Sequence, residues 1–246
     1  MRKFAMVAAL AVMGAAFAEA QERSIHALGL TVPVWNQTWT LADSDIDEYG
    51  TSMVGVNVMY HHLKVSDSHF SSFTDVELGY ASLSIDEMVM DGHSASVSGD
   101  GTELDGFNTR FMFGLGGAPL VNDLVTLAVH GTFGVNLLYA AWSGSHTYED
   151  TYWNGYRWVT KTYSVDASNW GFDLWTTIGL NVEAAFCFTE HFGVFAGLNL
   201  YTNLFGFGLF GTEMSYDGYS DNDSDAFLTN FGDFNVDFRI GVAFTY

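Results

Sequence analysis

The sequence predicts an all-β chain, an eight-stranded antiparallel up-and-down transmembrane β-barrel preceded by an N-terminal signal peptide. Three observations carry that expectation: strict alternation at the C-terminus, an export signal at the N-terminus, and long polar connections alternating with short ones. From Phe234 to Tyr246 the even positions are apolar (Phe234, Val236, Phe238, Ile240, Val242, Phe244, Tyr246) and the odd ones polar or small (Asn235, Asp237, Arg239, Gly241, Ala243, Thr245). A period of two over this length describes one extended strand with two opposite faces. In a soluble sandwich the apolar face would meet a core and the polar face water. In a membrane barrel the apolar face meets lipid and the polar face the lumen.

The N-terminus reads as a secretory signal. Met1-Arg2-Lys3 is basic, Phe4 to Phe17 is apolar without a charge, and Ala16-Phe17-Ala18 or Ala18-Glu19-Ala20 supplies a small-x-small cleavage site. The run is too short and wrongly flanked for a membrane-spanning helix. The expected division is a signal peptide over residues 1–20 and one barrel domain over 21–246. Cys187 is the single cysteine, so no internal disulfide is expected. Aromatic residues make up 16% of the chain, with 26 glycines and 2 prolines, a composition of strands and turns. The net charge is −21; loss of Arg2, Lys3 and Glu19 with the signal leaves 6 basic and 28 acidic residues, or −22. Such a chain is a poor partner for nucleic acid. No cofactor is expected.

The strands follow in order. Strand one is expected over Ile25–Val34, with Leu28, Leu30, Val32 and Val34 on one face and Pro33 at a strand end or bulge, since it cannot donate to a ladder. Ser52–His62 and Phe73–Ser84 alternate likewise, and a long Gly/Ser/Asp-rich loop is expected over Asp86–Gly106. Phe107–Gly116 and Leu124–Ala141 form the next pair, joined by a tight connection containing Pro119. Between Trp142 and Ser168, aromatic, Thr and charged residues alternate around Asn154-Gly155. Asn-Gly between alternating runs signals a type I′ hairpin, with positive φ at both central positions, so these two strands are expected to project beyond the bilayer as an arm. Asn169–Phe188 and Phe192–Leu209 follow. The second of these is apolar on both faces over Leu204–Phe210, which simple alternation does not explain. Gly211–Asn230 is expected as an acidic loop before the last strand.

Eight is an even number, and connections of roughly 15 residues or more alternate with connections of about 10 or fewer, the asymmetry of outer-membrane barrels. The polar faces collect His61, Asp75, Glu77, Arg110, His130, Asp173, Glu183, Asp237 and Arg239. An eight-stranded barrel has an interior only wide enough for side chains. A central plug of paired charges is therefore expected, with Glu77, Arg110, His130, Glu183 and Arg239 at similar depth. An unpaired ion there would cost several kcal/mol.

On the alternating strands, their even number and the aromatic-ended last strand, the chain resembles the small eight-stranded bacterial outer-membrane barrels of the OmpA transmembrane domain, OmpX and OmpW type. The last residue is Tyr246 where Phe is commoner. The resemblance implies an outer-membrane location and assembly through the C-terminal strand, Phe238, Ile240, Val242, Phe244 and Tyr246. The implied partners are outer-membrane lipid and the barrel-assembly machinery. It does not choose among structural, adhesive, channel and lipid-modifying roles.

Candidate chemistry is sparse. A lipid-modifying enzyme would need a nucleophile, a base and an orienting acid in contact. His130 is followed two residues on by Thr132 rather than Ser, and Ser24 and His26 lie at a strand start. Asp221, Asp223 and Asp225 have calcium-loop spacing, but Ala226 and Gly232 stand where an EF-hand needs Gly and Glu. Tyr60, Tyr80, Tyr139, Trp142, Trp170 and Tyr246 read as an interfacial girdle. The expected function is a monomeric, non-enzymatic outer-membrane barrel with acidic and aromatic outer loops. The alternatives are a narrow channel for small or apolar solutes and a lipid A-modifying enzyme.

Overall fold

A computed structural model describes residues 23–41, 48–90, 93–96, 103–216, 219–229 and 233–245. The expected signal peptide, 1–20, and Tyr246 lie outside the described residues. The strands are β1 (Arg23–Leu41), β2 (Glu48–Val65), β3 (Phe70–Met90), β4 (His93–Ser96), β5 (Glu103–Val121), β6 (Val125–Trp153), β7 (Trp158–Cys187), β8 (Phe192–Tyr216), β9 (Tyr219–Thr229) and β10 (Phe234–Thr245).

Antiparallel ladders run β1-β2-β3-β5-β6-β7-β8-β10, and β10 pairs back onto β1 from Ile25↔Thr245 to Val34↔Val236, closing an eight-membered ring. β4 continues the pairing of β3 beyond β5, and β9 that of β8 beyond β10. β3 pairs first with β5 and then with β4, and β8 pairs first with β10 and then with β9, whose end also meets β1 at Trp39↔Thr229. Closure pairs the backbone groups that an open edge would expose.

The strands are longer than alternation alone indicates. The polar segments expected as loops at 36–50, 86–106 and 211–230 are largely paired extensions of the strands, and the hairpin expected over 142–168 is paired as the outer parts of β6 and β7. Backbone pairing, not apolar content, sustains a strand once its neighbour sets the register. The three short connections, Ser66–His69, 122–124 and Phe188–His191, lie at one end of the barrel. They are closed locally: Asn122 Oδ1 accepts from Leu124 N and Val125 N at 3.0 and 2.8 Å, and Thr189 Oγ1 from Phe192 N at 3.0 Å. At the other end β6 and β7 stay paired out to Trp153↔Trp158. Their connection is not the two-residue type I′ turn expected. It spans 154–157, Gly155 has φ +96° while Asn154 does not have a positive φ, and Asn154 Oδ1 accepts from Tyr156 N and Arg157 N.

Two irregularities matter. Pro33 sits within β1 rather than at its end. The ladder to β2 breaks between Thr31↔Asn57 and Val34↔Val54, where Pro33 has no N–H to give. In β8, Thr177 pairs with Asn203 but Thr176 with Phe205, so Leu204 is an extra, bulged residue. Asn199, Tyr201 and Asn203 are buried before it; Phe205, Phe207 and Leu209 are exposed after it. The bulge reverses the parity, and this explains why Leu204–Phe210 is apolar at every position.

Candidate functional site: the barrel interior

The inward residues stack in three tiers. At the short-turn end an apolar cluster contains Ile25, Met59, Leu63, Phe73, Met112 and Phe195. At the long-arm end an aromatic cluster contains Trp35, Trp39, Trp175, Tyr201 and Phe227, with Trp39 stacked on Phe227 at 4.3 Å. Trp142 packs against this cluster, so it belongs to the interior and not to the girdle expected for it; Tyr60, Tyr80 and Tyr139 do face outward.

Between the tiers lie the charges, divided into two networks, each built around one arginine. Arg110 pairs with Glu77 at 2.5 Å and with Asp237. Asp237 also accepts from Tyr201 OH at 2.9 Å, Asn199 Nδ2 at 3.2 Å and Trp35 Nε1 at 3.3 Å, and Glu77 accepts from Asn57 Nδ2 at 3.0 Å. Arg239 pairs with Asp75 at 2.6 Å and Glu183 at 3.3 Å, its guanidinium 5.4 Å from the ring centres of both Phe73 and Phe195. His61 lies 2.5 Å from Asp75 and 3.5 Å from Glu183, Asn181 Nδ2 donates to Glu183 at 2.7 Å, and His130 lies 3.6 Å from Glu183 and 2.8 Å from Ser71 Oγ. Each charge is buried and directly partnered, which is what makes ions tolerable there.

The expected cluster is therefore assembled, but as two centres rather than one. Asp173 is buried too, yet register sets it level with Leu138 and Gly208, bordering the aromatic tier. Tyr201, Asn57, Asn181 and Asn199 stand on inward faces in the sequence, but nothing local marks them as partners of particular ions. Thr132 Oγ1 turns to Asn199, not to His130, so the His130/Thr132 spacing makes no nucleophile–base pair. Asp221, Asp223 and Asp225 fall in β9, paired with Met214, Thr212 and Phe210, not in a calcium-type loop. Among the described residues no group of three or more His, Cys, Asp or Glu side chains is arranged to hold a metal ion.

The outer face is the reverse of the inside. Leu30, Val58, Leu78, Phe111, Phe133, Leu180 and Ile240 project from it, with Val58 and Ile240 63% and 64% exposed, while five carboxylates and two guanidiniums are enclosed. Water outside would leave that belt wet on every strand; hydrocarbon solvates it. The chain is a membrane-spanning barrel of the outer-membrane type.

No protein-family model matches the sequence, and no curated protein matches it. Among solved structures the chain is similar to a major outer membrane protein from Thermus thermophilus, with 14% identity over 89% of this chain and 99% of that one at a TM-score of 0.39. It is also similar to the outer membrane protease OmpT from Escherichia coli, with 10% identity over 92% and 96% at a TM-score of 0.36. Likeness at these scores assigns no family and no activity; the barrel rests on its own ladders.

Proposed function

We propose that the protein is a closed, non-enzymatic barrel of the bacterial outer membrane that presents its β6–β7 hairpin as a contact surface outside the cell. The observation that carries this reading is the contrast between a filled lumen and a projecting arm. At about 3.3 Å per residue the 29 residues of β6 extend about 95 Å along the strand, against a hydrocarbon core of about 30 Å. The hairpin tip exposes Trp153, Tyr156 and Trp158 beside Arg157, and Tyr156 is 92% exposed. Aromatic residues with an arginine are the composition of contact hot spots. A plug of ion pairs between two packed tiers supports a barrel that does not conduct. Insertion from the short-turn end, through the C-terminal strand and the assembly machinery, fits β10 as the strand that closes the ring, and the closed ladder favours a monomer.

Single-channel recording from purified protein in planar bilayers tests the closed lumen: silence is expected, and steady conductance steps would favour the channel reading. Protease or biotin labelling of intact cells tests the arm; Lys161 on the hairpin should be modified from outside. Unchanged lipid A mass spectra with and without the protein are expected, and a changed acyl pattern would favour the enzyme reading.

A further inference from the structure

Six basic residues follow the expected signal peptide: Arg23, Lys64, Arg110, Arg157, Lys161 and Arg239. Arg110 and Arg239 serve the lumen, and Arg157 and Lys161 lie at the arm's tip. Arg23 is tied across the short-turn end, donating to Asn122 O at 2.5 Å and to Cys187 Sγ at 3.2 Å. Lys64 stands on the outward face of the barrel body, in a patch unlike the rest of the belt.

The ladders define that patch. Ser24 pairs with Lys64, His26 with His62 and Leu28 with Tyr60; on the other side of β2, Lys64 pairs with Ser72 and His62 with Thr74. These side chains share the outward parity of Leu28 and Val76, one or two positions closer to the short turns. At the same level the neighbouring strands remain apolar: Phe244 opposite His26, Phe192 opposite Phe244, Phe113 opposite Thr74 and Leu115 opposite Ser72. The belt therefore has a polar notch three strands wide at its lower edge. The notch is also held in place. The His26 and His62 rings stack at 4.2 Å and 9°, Ser24 Oγ lies 2.8 Å from His62 Nε2 and 3.2 Å from His26 Nε2, and Tyr60 OH lies 2.8 Å from His26 Nδ1.

We propose that this notch, on the outward faces of β1–β3, binds the phosphate of a phospholipid headgroup in the leaflet at the short-turn end. The Lys64 ammonium brings positive charge and Ser72 and Thr74 bring hydroxyls, beside two imidazoles fixed by Ser24 and Tyr60, and none of these side chains is acidic in a chain with 29 acidic residues. Directly above lie Leu28, Val76 and Leu30, on which the lipid's acyl chains would rest. Tyr60 bridges the two zones, its ring in the belt and its hydroxyl at the boundary, as interfacial aromatics do. A free phosphate would meet the same donors but would gain nothing from the belt.

Native mass spectrometry of the full mature chain in a maltoside detergent tests the assignment. The probes are phosphatidylglycerol, a diacylglycerol of the same chains, and inorganic phosphate. Retention of phosphatidylglycerol, but not of diacylglycerol, is expected. Lys64→Gln should weaken retention about fivefold, the weight of one cation at a lipid surface, and Lys64→Arg should restore it. His26→Ala/His62→Ala should weaken it as well. Heat-modifiable migration in gels selects the variants that fold. Equal retention of diacylglycerol, or no effect of Lys64→Gln in folded protein, would overturn the site. Displacement by inorganic phosphate at the lipid's own concentration would overturn the lipid as its occupant.

Discussion

Arg239 on β10 reaches Glu183 on β7 past the one strand between them, and the residue at the crossing is Gly197. Register aligns Glu183 with Gly197 and Gly197 with Arg239. A Cβ on Gly197 would lie 3.5 Å from Arg239 Nε, 3.5 Å from Glu183 Cβ and 3.3 Å from Phe195 Cζ, so a methyl nearly fits and anything longer blocks the ion pair. Gly197→Ala is expected to cost little, and Gly197→Leu to break the second network. Urea unfolding of the refolded barrel, followed by tryptophan fluorescence, separates the two.

Removing one charge from a buried network differs from removing the network. Arg239→Ala strands Asp75 and Glu183 and is expected to destabilise by about 3–5 kcal/mol. Arg239→Met with Asp75→Leu and Glu183→Leu should recover much of that loss, because no ion is left unpaired. The same unfolding experiment reads both. If the triple variant is no better than the single one, the network contributes more than mutual neutralisation.

Conductance tests the plug directly. Arg110→Ala/Arg239→Ala should leak in bilayers in which the parent protein is silent, because both guanidiniums cross the lumen. Folded double variant that stays silent would place the seal in the apolar and aromatic tiers.

The outward face has a depth-dependent tolerance. Ile240→Arg, near mid-belt, should cost about 2–4 kcal/mol, whereas a basic substitution near the ends of the belt should cost about 0–1 kcal/mol. Folding titrations into lipid vesicles give the comparison. Equal penalties would contradict a bilayer around this surface.

Gly155 is the described glycine with positive φ, +96°, and nothing lies within 4 Å of a Cβ placed there. Gly155→Ala therefore introduces backbone strain without a clash, about 1–2 kcal/mol. Hydrogen exchange should quicken in the pairs nearest Trp153↔Trp158 and be unchanged in the barrel body.

Much of this was legible in the chain. Period-two alternation in 234–245 fixes both faces of β10, because successive side chains on a strand must point oppositely. It also placed Asp75, Glu77, Arg110, His130, Glu183, Asp237 and Arg239 inside. Two things defeated alternation. The bulge at Leu204 shifts the phase by one residue, and nothing in an all-apolar run shows where the shift falls. Polar stretches such as 93–96 and 219–225 lack the apolar half of the pattern, so they read as loops although a neighbouring strand holds them.

By itself, the sequence determined that this chain makes alternating strands with a greasy face and an ionised face, since each property is local to a few residues. Only closure of the ring decided that Arg110 would meet Asp237, 127 positions away, and that Arg239 would lie between Phe73 and Phe195. Pairings of that kind depend on ladder register and on which strand neighbours which. Those are properties of the closed sheet, set by all its strands together.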